Sequence, residues 1–151
     1  MKTFNTLAEL SAHVGTTVAV SEWLTISQEQ INQFAQATGD HQWIHVDPER
    51  AAQGPFGTPI AHGFLTLSLI PRFMETSMQV LHVRMGVNYG LNKVRFISPV
   101  QVNSRLRAHL KLLEVLPVDN GGVQQAWEVT IEREGAAKPA CVAEALVRQY
   151  P

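Results

Sequence analysis

The sequence predicts an α+β fold in which an antiparallel sheet packs against one buried helix. Residues 60–75 carry apolar side chains on every side of a helical period, which is typical of a helix that is buried all round. The second half of the chain alternates apolar and polar side chains, as half-buried strands do, in four segments: residues 82–89, 104–115, 123–134 and 140–150. Turn sequences at residues 119–122 and 134–139 separate the last three segments, so we expect antiparallel hairpins.

The composition is that of a compact chain without a charge bias. With 151 residues, of which 45% are hydrophobic and 17% charged, the chain suits a single globular domain spanning residues 1–151. The formal net charge of −1 gives no electrostatic reason to expect nucleic acid or an anionic membrane as a partner. No segment has the roughly 18 consecutive apolar residues that insertion across a bilayer requires. The N-terminus lacks a signal-peptide core, so we expect a soluble cytoplasmic protein.

One cysteine, Cys141, rules out a disulfide framework within the chain. It lies in an alternating segment, where a small buried residue is a better interpretation than a reactive thiol.

A helix over residues 28–38 is marked at both ends. Ser27 is a candidate N-cap, and Gln30 three residues later completes a capping-box pattern. Gly39 suits the left-handed conformation that ends a helix. Asp40 is therefore the first residue beyond a defined helix end, and a second helix begins at the Asp47-Pro48 pair.

The loop between these two helices concentrates polar side chains that admit three interpretations. Asp40, His41 and His45 occur in the stretch "ATGDHQWIHVDPERAA". They could form a polar turn without chemistry, whose side chains satisfy backbone groups. They could also form a metal site together with His62, but no recognised ligand spacing such as H-E-x-x-H is present, so we expect no metal.

The third interpretation is an acid–base pair. A carboxylate and an imidazole that hold one water between them can move protons near neutral pH when both are partly desolvated. Gly63, at the start of the buried helix, adds a backbone N–H that a substrate carbonyl can approach closely. Such a donor stabilises a developing oxyanion, so Asp40, His45 and Gly63 together indicate chemistry on a carbonyl compound.

Two motifs resemble one known family over nearly the whole chain. The stretch "FAQATGDHQWIHVDPERAA" is similar to the signature of the MaoC-like (R)-specific enoyl-CoA hydratases, the type-2 hydratases of the hot-dog fold. "PFGTPIAHGFLTLSLIP" resembles the family segment that leads into the central helix, and "NYGLNKVRFISPV" resembles the branch related to nodulation protein N. The match departs from the family at two positions, where Gln42 replaces asparagine and Trp43 replaces proline.

The resemblance implies a reaction and a set of roles. The reaction is the reversible addition of water to a trans-2-enoyl-CoA, which gives an (R)-3-hydroxyacyl-CoA without a cofactor, in a homodimer whose sheets join edge to edge. Asp40 and His45 would be the catalytic pair, Gln42 would orient the water, and the Gly63 N–H would bind the thioester oxygen. Substrate contacts are expected from five further residues: Trp43, Phe56, His62, Asn88 and Tyr89.

Two other functions fit the same fold. One is a non-catalytic module that binds acyl-CoA or an acyl-carrier protein, since a fold does not determine a function. The other is a hot-dog acyl-CoA thioesterase. The Asp-x-Gln-x-x-His spacing from Asp40 to His45 favours the hydratase over both.

Overall fold

The computed structural model describes residues 1–151 and contains six short helices and eight strands. The helices are α1 (Leu7–Ser11), α2 (Gln28–Thr38), α3 (Trp43–Val46), α4 (Pro48–Ala52), α5 (Gly63–Ser68) and α6 (Ile70–Ser77). The strands are β1 (Lys2–Phe4), β2 (Thr17–Val20), β3 (Leu24–Thr25), β4 (Met78–Val80), β5 (Met85–Phe96), β6 (Arg105–Pro117), β7 (Val123–Arg133) and β8 (Cys141–Tyr150).

The main sheet is antiparallel and packs on α5 and α6, which confirms the predicted α+β class. Its strands follow the order β2-β6-β7-β8-β5, and β3 pairs with β6 beyond the end of β2. Strands β6, β7 and β8 are joined by consecutive hairpins, at the two turns that the sequence predicts. A separate parallel pair, β1 with β4, was not predicted, because each strand is only three residues long.

The inner face of the sheet forms most of the hydrophobic core. On β6 the inward residues Leu106, Ala108, Leu110 and Leu112 are fully buried, as their alternation predicts. On β7 the same face includes one polar residue, Gln125, whose side chain is 1% exposed. Its Oε1 accepts a hydrogen bond from Trp127 Nε1 at 2.9 Å, and its Nε2 donates to Gln149 Oε1 at 2.7 Å. A buried amide in this position is therefore satisfied.

The predicted ends of α2 are confirmed. Ser27 Oγ accepts a hydrogen bond from the Gln30 N–H at 3.1 Å, as an N-cap does. Gly39 has φ +80° and donates its N–H to the Ala35 carbonyl at 2.8 Å. The left-handed conformation at Gly39 turns the chain away from the helix and fixes the direction in which Asp40 leaves it.

The predicted buried helix over residues 60–75 is wrong in three respects. It begins only at Gly63, because residues 60–62 are not helical and Ile60 is bridged to Gln101. It is divided into α5 and α6 at Leu69, beside Pro71, a residue type that interrupts helices. It is also not buried all round, since Phe64 is 68% exposed. The sheet covers one side of α5 and leaves the Phe64 side open, which a period of apolar residues alone does not reveal.

The predicted half-buried strand over residues 82–89 also differs from the structure. It runs instead from Met85 to Phe96 as β5, pairs with β8 alone, and is exposed on both faces along almost its whole length. Large apolar side chains are among the exposed ones: Met85, Val87, Tyr89, Leu91 and Phe96. An edge strand of this kind leaves one row of backbone N–H and C=O groups unpaired.

Cys141 is fully buried at the start of β8, as predicted. Burial raises the pKa of its thiol to about 11. No helix of this chain combines the length and the apolar character that crossing a bilayer requires.

The packing of α6 on the sheet gives a stability prediction. Phe73 is 2% exposed in the core, whereas Glu75 on the same helix is exposed. We expect Phe73→Ala to lower the free energy of unfolding by about 3–5 kcal/mol, because it removes apolar contacts and leaves a cavity. Glu75→Ala should change it by about 0.5 kcal/mol or less. Urea denaturation measures both, and equal losses in the two variants would contradict the assigned packing.

Candidate active site

The loop after α2 places the Asp40 carboxylate above the short helix α3. Asp40 is exposed, and its Oδ1 accepts a hydrogen bond from the backbone N–H of Gln42 at 3.3 Å. Its own N–H donates to Thr38 Oγ1 at 3.4 Å. Both contacts are local, so the loop holds the carboxylate in place without enclosing it.

His45 lies on α3 and is 6% exposed. Its Nδ1 is 2.7 Å from the Ile60 carbonyl oxygen, which can only accept a hydrogen bond, so Nδ1 carries the proton. In the neutral ring Nε2 is then the free acceptor. Burial lowers the pKa of His45, and His62 lowers it further, against the Ile60 hydrogen bond and the Asp40 charge, which raise it. The ring is thus prepared to accept a proton at Nε2.

His62 lies directly behind His45. Its ring is 3% exposed and stacks on the His45 ring, with centroids 3.8 Å apart and planes inclined by 24°. A second aromatic neighbour of His62 is the tilted ring of Phe34 of α2, at 4.9 Å between centroids. His62 Nε2 is 3.0 Å from the backbone oxygen of Asp40, and its Nδ1 is buried without a hydrogen-bond partner.

The structure brings the predicted acid–base groups together. A carboxylate oxygen of Asp40 and one ring nitrogen each of His45 and His62 all lie within 4.8 Å of one another.

Gly63 follows His62 as the first residue of α5, and its N–H donates no hydrogen bond within the chain. A Cβ at Gly63 would stand 2.8 Å from the ring of Phe96, the last residue of β5, so any larger residue would require that ring to move. Sequence analysis did not single out Phe96.

The same cluster has poor geometry for a metal ion. The lone pairs of an imidazole lie in the ring plane, and two stacked rings direct them into nearly parallel planes that do not meet on one ion. Moreover, Nδ1 of His45 and Nε2 of His62 already face backbone carbonyls. His41, the other candidate ligand in the sequence, is exposed and outside the cluster.

The two departures from the family signature fall at the start of α3. Gln42 is the N-cap residue, is exposed, and makes no side-chain capping bond. Trp43 is the first residue of α3, a position at which proline is favoured because its N–H needs no partner inside the helix. Tryptophan therefore meets the same backbone requirement as proline. Its ring stacks on the Arg50 guanidinium at 4.5 Å, so the substitution leaves the turn intact.

The remaining predicted contact residues lie on both sides of α5. Phe56 lines a mostly apolar cavity of about 270 Å³ together with Gly63 and Phe96. Asn88 lines a second cavity of about 270 Å³ between α5, α6 and the strands β5 and β8. Tyr89 is exposed and carries the Arg148 guanidinium over its ring at 3.6 Å. The largest cavity, about 540 Å³, lies on the outer face of β6 and β7 and touches none of the predicted residues.

Comparison with known proteins identifies relatives along the whole chain. Residues 9–134 match the model of the MaoC like domain. The chain is 58% identical over 148 residues to 3-hydroxyacyl-thioester dehydratase Z of Mycobacterium tuberculosis, and the match covers 98% of both chains. It is 45% identical over 139 residues to nodulation protein N of Rhizobium leguminosarum, covering 91% of this chain and 86% of the relative.

One solved structure is similar to this chain in fold and, more weakly, in sequence. The unliganded R-hydratase PhaJ1 from Pseudomonas aeruginosa superposes with a TM-score of 0.69 at 26% identity, over 91% of this chain and 83% of its own. The predicted hot-dog fold and the predicted likeness to nodulation protein N are thereby confirmed. The chain belongs to the family of MaoC-like dehydratase domains.

Proposed function

We propose that this protein catalyses the reversible hydration of a trans-2-enoyl-CoA to an (R)-3-hydroxyacyl-CoA. The observation that carries the proposal is the cluster itself: a carboxylate oxygen of Asp40 and one ring nitrogen each of His45 and His62 lie within 4.8 Å of one another. The tautomer of His45 leaves its Nε2 as a free acceptor, and the N–H of Gly63, next to His62 in the chain, is unpaired. The dehydratase relative and the R-hydratase neighbour support the reaction class and its stereochemistry. The two mostly apolar cavities beside α5 support an acyl substrate.

The proposed reaction needs proton transfers and one stabilised oxyanion. The water oxygen bonds to C3 of the enoyl group as the Asp40–His45 pair takes one water proton, and the same pair returns a proton to C2. The C2=C3 double bond becomes single, so atoms and electrons balance without a redox group, and the proposal requires no cofactor. Negative charge develops on the thioester oxygen, where the Gly63 N–H is the donor. In this proposal Asp40 and His45 act as one coupled pair, and Gln42 orients the water.

The catalytic pair can be tested by substitution. We expect Asp40→Asn and His45→Gln each to lower kcat by about two orders of magnitude or more, because each removes a general acid–base group. His41→Gln is the matched control, since His41 is exposed in the same loop and outside the cluster. The assay is the loss of enoyl-thioester absorbance over a series of acyl chain lengths, with chiral analysis of the product. Near-normal hydration by either variant would contradict the assignment.

The same assay separates the two other functions. Release of free thiol from a saturated acyl-CoA would indicate a thioesterase. Binding of acyl-CoA or of an acyl-carrier protein without turnover at any chain length would indicate a binding module.

The environment of His45 gives a pH prediction. Because burial lowers its pKa, we expect the His45 ring to titrate below about 6.5, the ordinary value for histidine. Hydratase kcat/KM should then fall only as the pH is lowered through that region, where Nε2 becomes protonated. The Asp40 charge raises this pKa, so Asp40→Asn should move the titration to still lower pH. Histidine ¹H–¹⁵N spectra recorded against pH measure it, and a midpoint above the ordinary value would refute the assignment.

We further propose that two copies of the chain pair through β5, so that their sheets join edge to edge. The strand is twelve residues long, has an unpaired edge, and exposes apolar side chains that include Val87 and Leu91. An edge of this kind invites pairing with a second strand.

The dimer prediction uses the two edges of the sheet. Leu91→Glu should give a monomer, because it places a charge in the proposed interface. Val20→Glu is the matched control, since Val20 is 46% exposed on β2 at the opposite edge. Light scattering after gel filtration measures the mass of each variant. A dimer that survives Leu91→Glu, or that is lost in Val20→Glu, would place the interface elsewhere.

A further inference from the structure

We propose that His62 is the positioning residue of the site, holding Asp40 through its backbone and His45 through its ring face. The inference rests on the proposed hydratase function. It gives His62 a role behind the reacting groups in place of the direct substrate contact that sequence analysis expects of it.

The hydrogen bond to Asp40 fixes the tautomer of His62. A backbone carbonyl only accepts, so the 3.0 Å contact between His62 Nε2 and the Asp40 oxygen requires the proton on Nε2. In the neutral ring Nδ1 is then an unprotonated acceptor, and it is buried without a partner. The hydrogen-bonding capacity of the ring is thus used to hold the backbone of Asp40, and no second group in the chain binds to Nδ1.

Three contacts immobilise the ring itself. The His45 ring stacks on His62, and the Phe34 ring of α2 contacts it at a tilt of 54°. The hydrogen bond to Asp40 prevents rotation within that space. Because His45 is tied to Ile60 through Nδ1, the stack on His62 restricts its ring to one orientation.

The position of His62 in the chain connects both halves of the proposed chemistry. Its ring binds the residue that bears the carboxylate, and the next residue, Gly63, supplies the oxyanion donor. One side chain thus sets the separation between the acid–base pair and the N–H that receives the developing charge. Catalysis of this type is sensitive to displacements of about 1 Å.

The decisive comparison is between His62→Leu and His62→Gln. Leucine is apolar and removes the donor, whereas the glutamine amide places an N–H near the position of the imidazole Nε2. We expect His62→Leu to lower kcat about 10- to 100-fold with KM changed about threefold or less, because reacting groups are misplaced while substrate contacts remain. His62→Gln should retain about a third or more of the wild-type kcat, because its amide N–H can replace the imidazole donor.

Thermal unfolding of both variants excludes a general loss of structure. With equal Tm values, a leucine variant within twofold of wild type, or a glutamine variant no better than leucine, would overturn the proposal. A larger KM effect than kcat effect would also overturn it, since it would indicate that His62 contacts the substrate.

Two measurements test the positioning role of His62 without an activity assay. Histidine ¹H–¹⁵N spectra of the unmodified protein should show His62 as the Nε2–H tautomer and His45 as the Nδ1–H tautomer. Backbone ¹⁵N relaxation should show residues 39–46 becoming mobile in His62→Leu and staying ordered in His62→Gln. An Nδ1–H tautomer at His62, or unchanged order in the leucine variant, would refute the positioning role. A protein that shows both expected results but hydrates no enoyl-CoA would instead refute the proposed function.

Discussion

The extended segment before α5 is the constraint on which the candidate site depends. It is buried, so its backbone groups must find partners. The Ile60 N–H donates to the Ile44 carbonyl of α3 at 3.0 Å, and the Ala61 N–H donates to the Val100 carbonyl beside the sheet at 2.7 Å. The Ile60 carbonyl accepts a hydrogen bond from His45 Nδ1. The connection that joins the helical loop to the sheet thus also determines which nitrogen of the His45 imidazole is free.

This arrangement explains how two histidines can stack in a protein interior. Two imidazolium rings at 3.8 Å would repel each other strongly where water cannot screen them. Each ring instead donates one N–H to a backbone carbonyl, so the other nitrogen of each neutral ring remains an acceptor. A positive charge on His62 would oppose a second one on His45, which is one cause of the lowered pKa of His45. The stack therefore disfavours protonation of both rings at once.

Local sequence signals predicted the elements whose ends depend on one or two side chains. The Ser27 cap, the Gly39 helix end and the alternation of β6 all follow from contacts within or directly beside the element. The exposure of Phe64 and of β5 was not predicted by local sequence signals. It depends on which face of the helix the sheet covers and on where the sheet ends.

The same distinction applies to the site. Asp40, His45 and Gly63 were found from their residue types and spacing. The features that orient them were not, because two are backbone carbonyls, which have no signature in a sequence. The contact of Phe96 with Gly63 joins residues 33 positions apart in the chain, and only the folded structure, in which the end of β5 meets the start of α5, reveals it. The tryptophan at position 43 became understandable once the structure showed that it begins a helix.

The buried thiol of Cys141 supplies an internal reporter of sheet opening. With its pKa raised to about 11, very little thiolate exists at neutral pH, and the sulfur has no access to reagent in the closed protein. Alkylation of the native protein therefore requires β8 to separate from its neighbours. The labelling rate at increasing denaturant would then measure the free energy of that separation, in the same way that amide hydrogen exchange reports local unfolding.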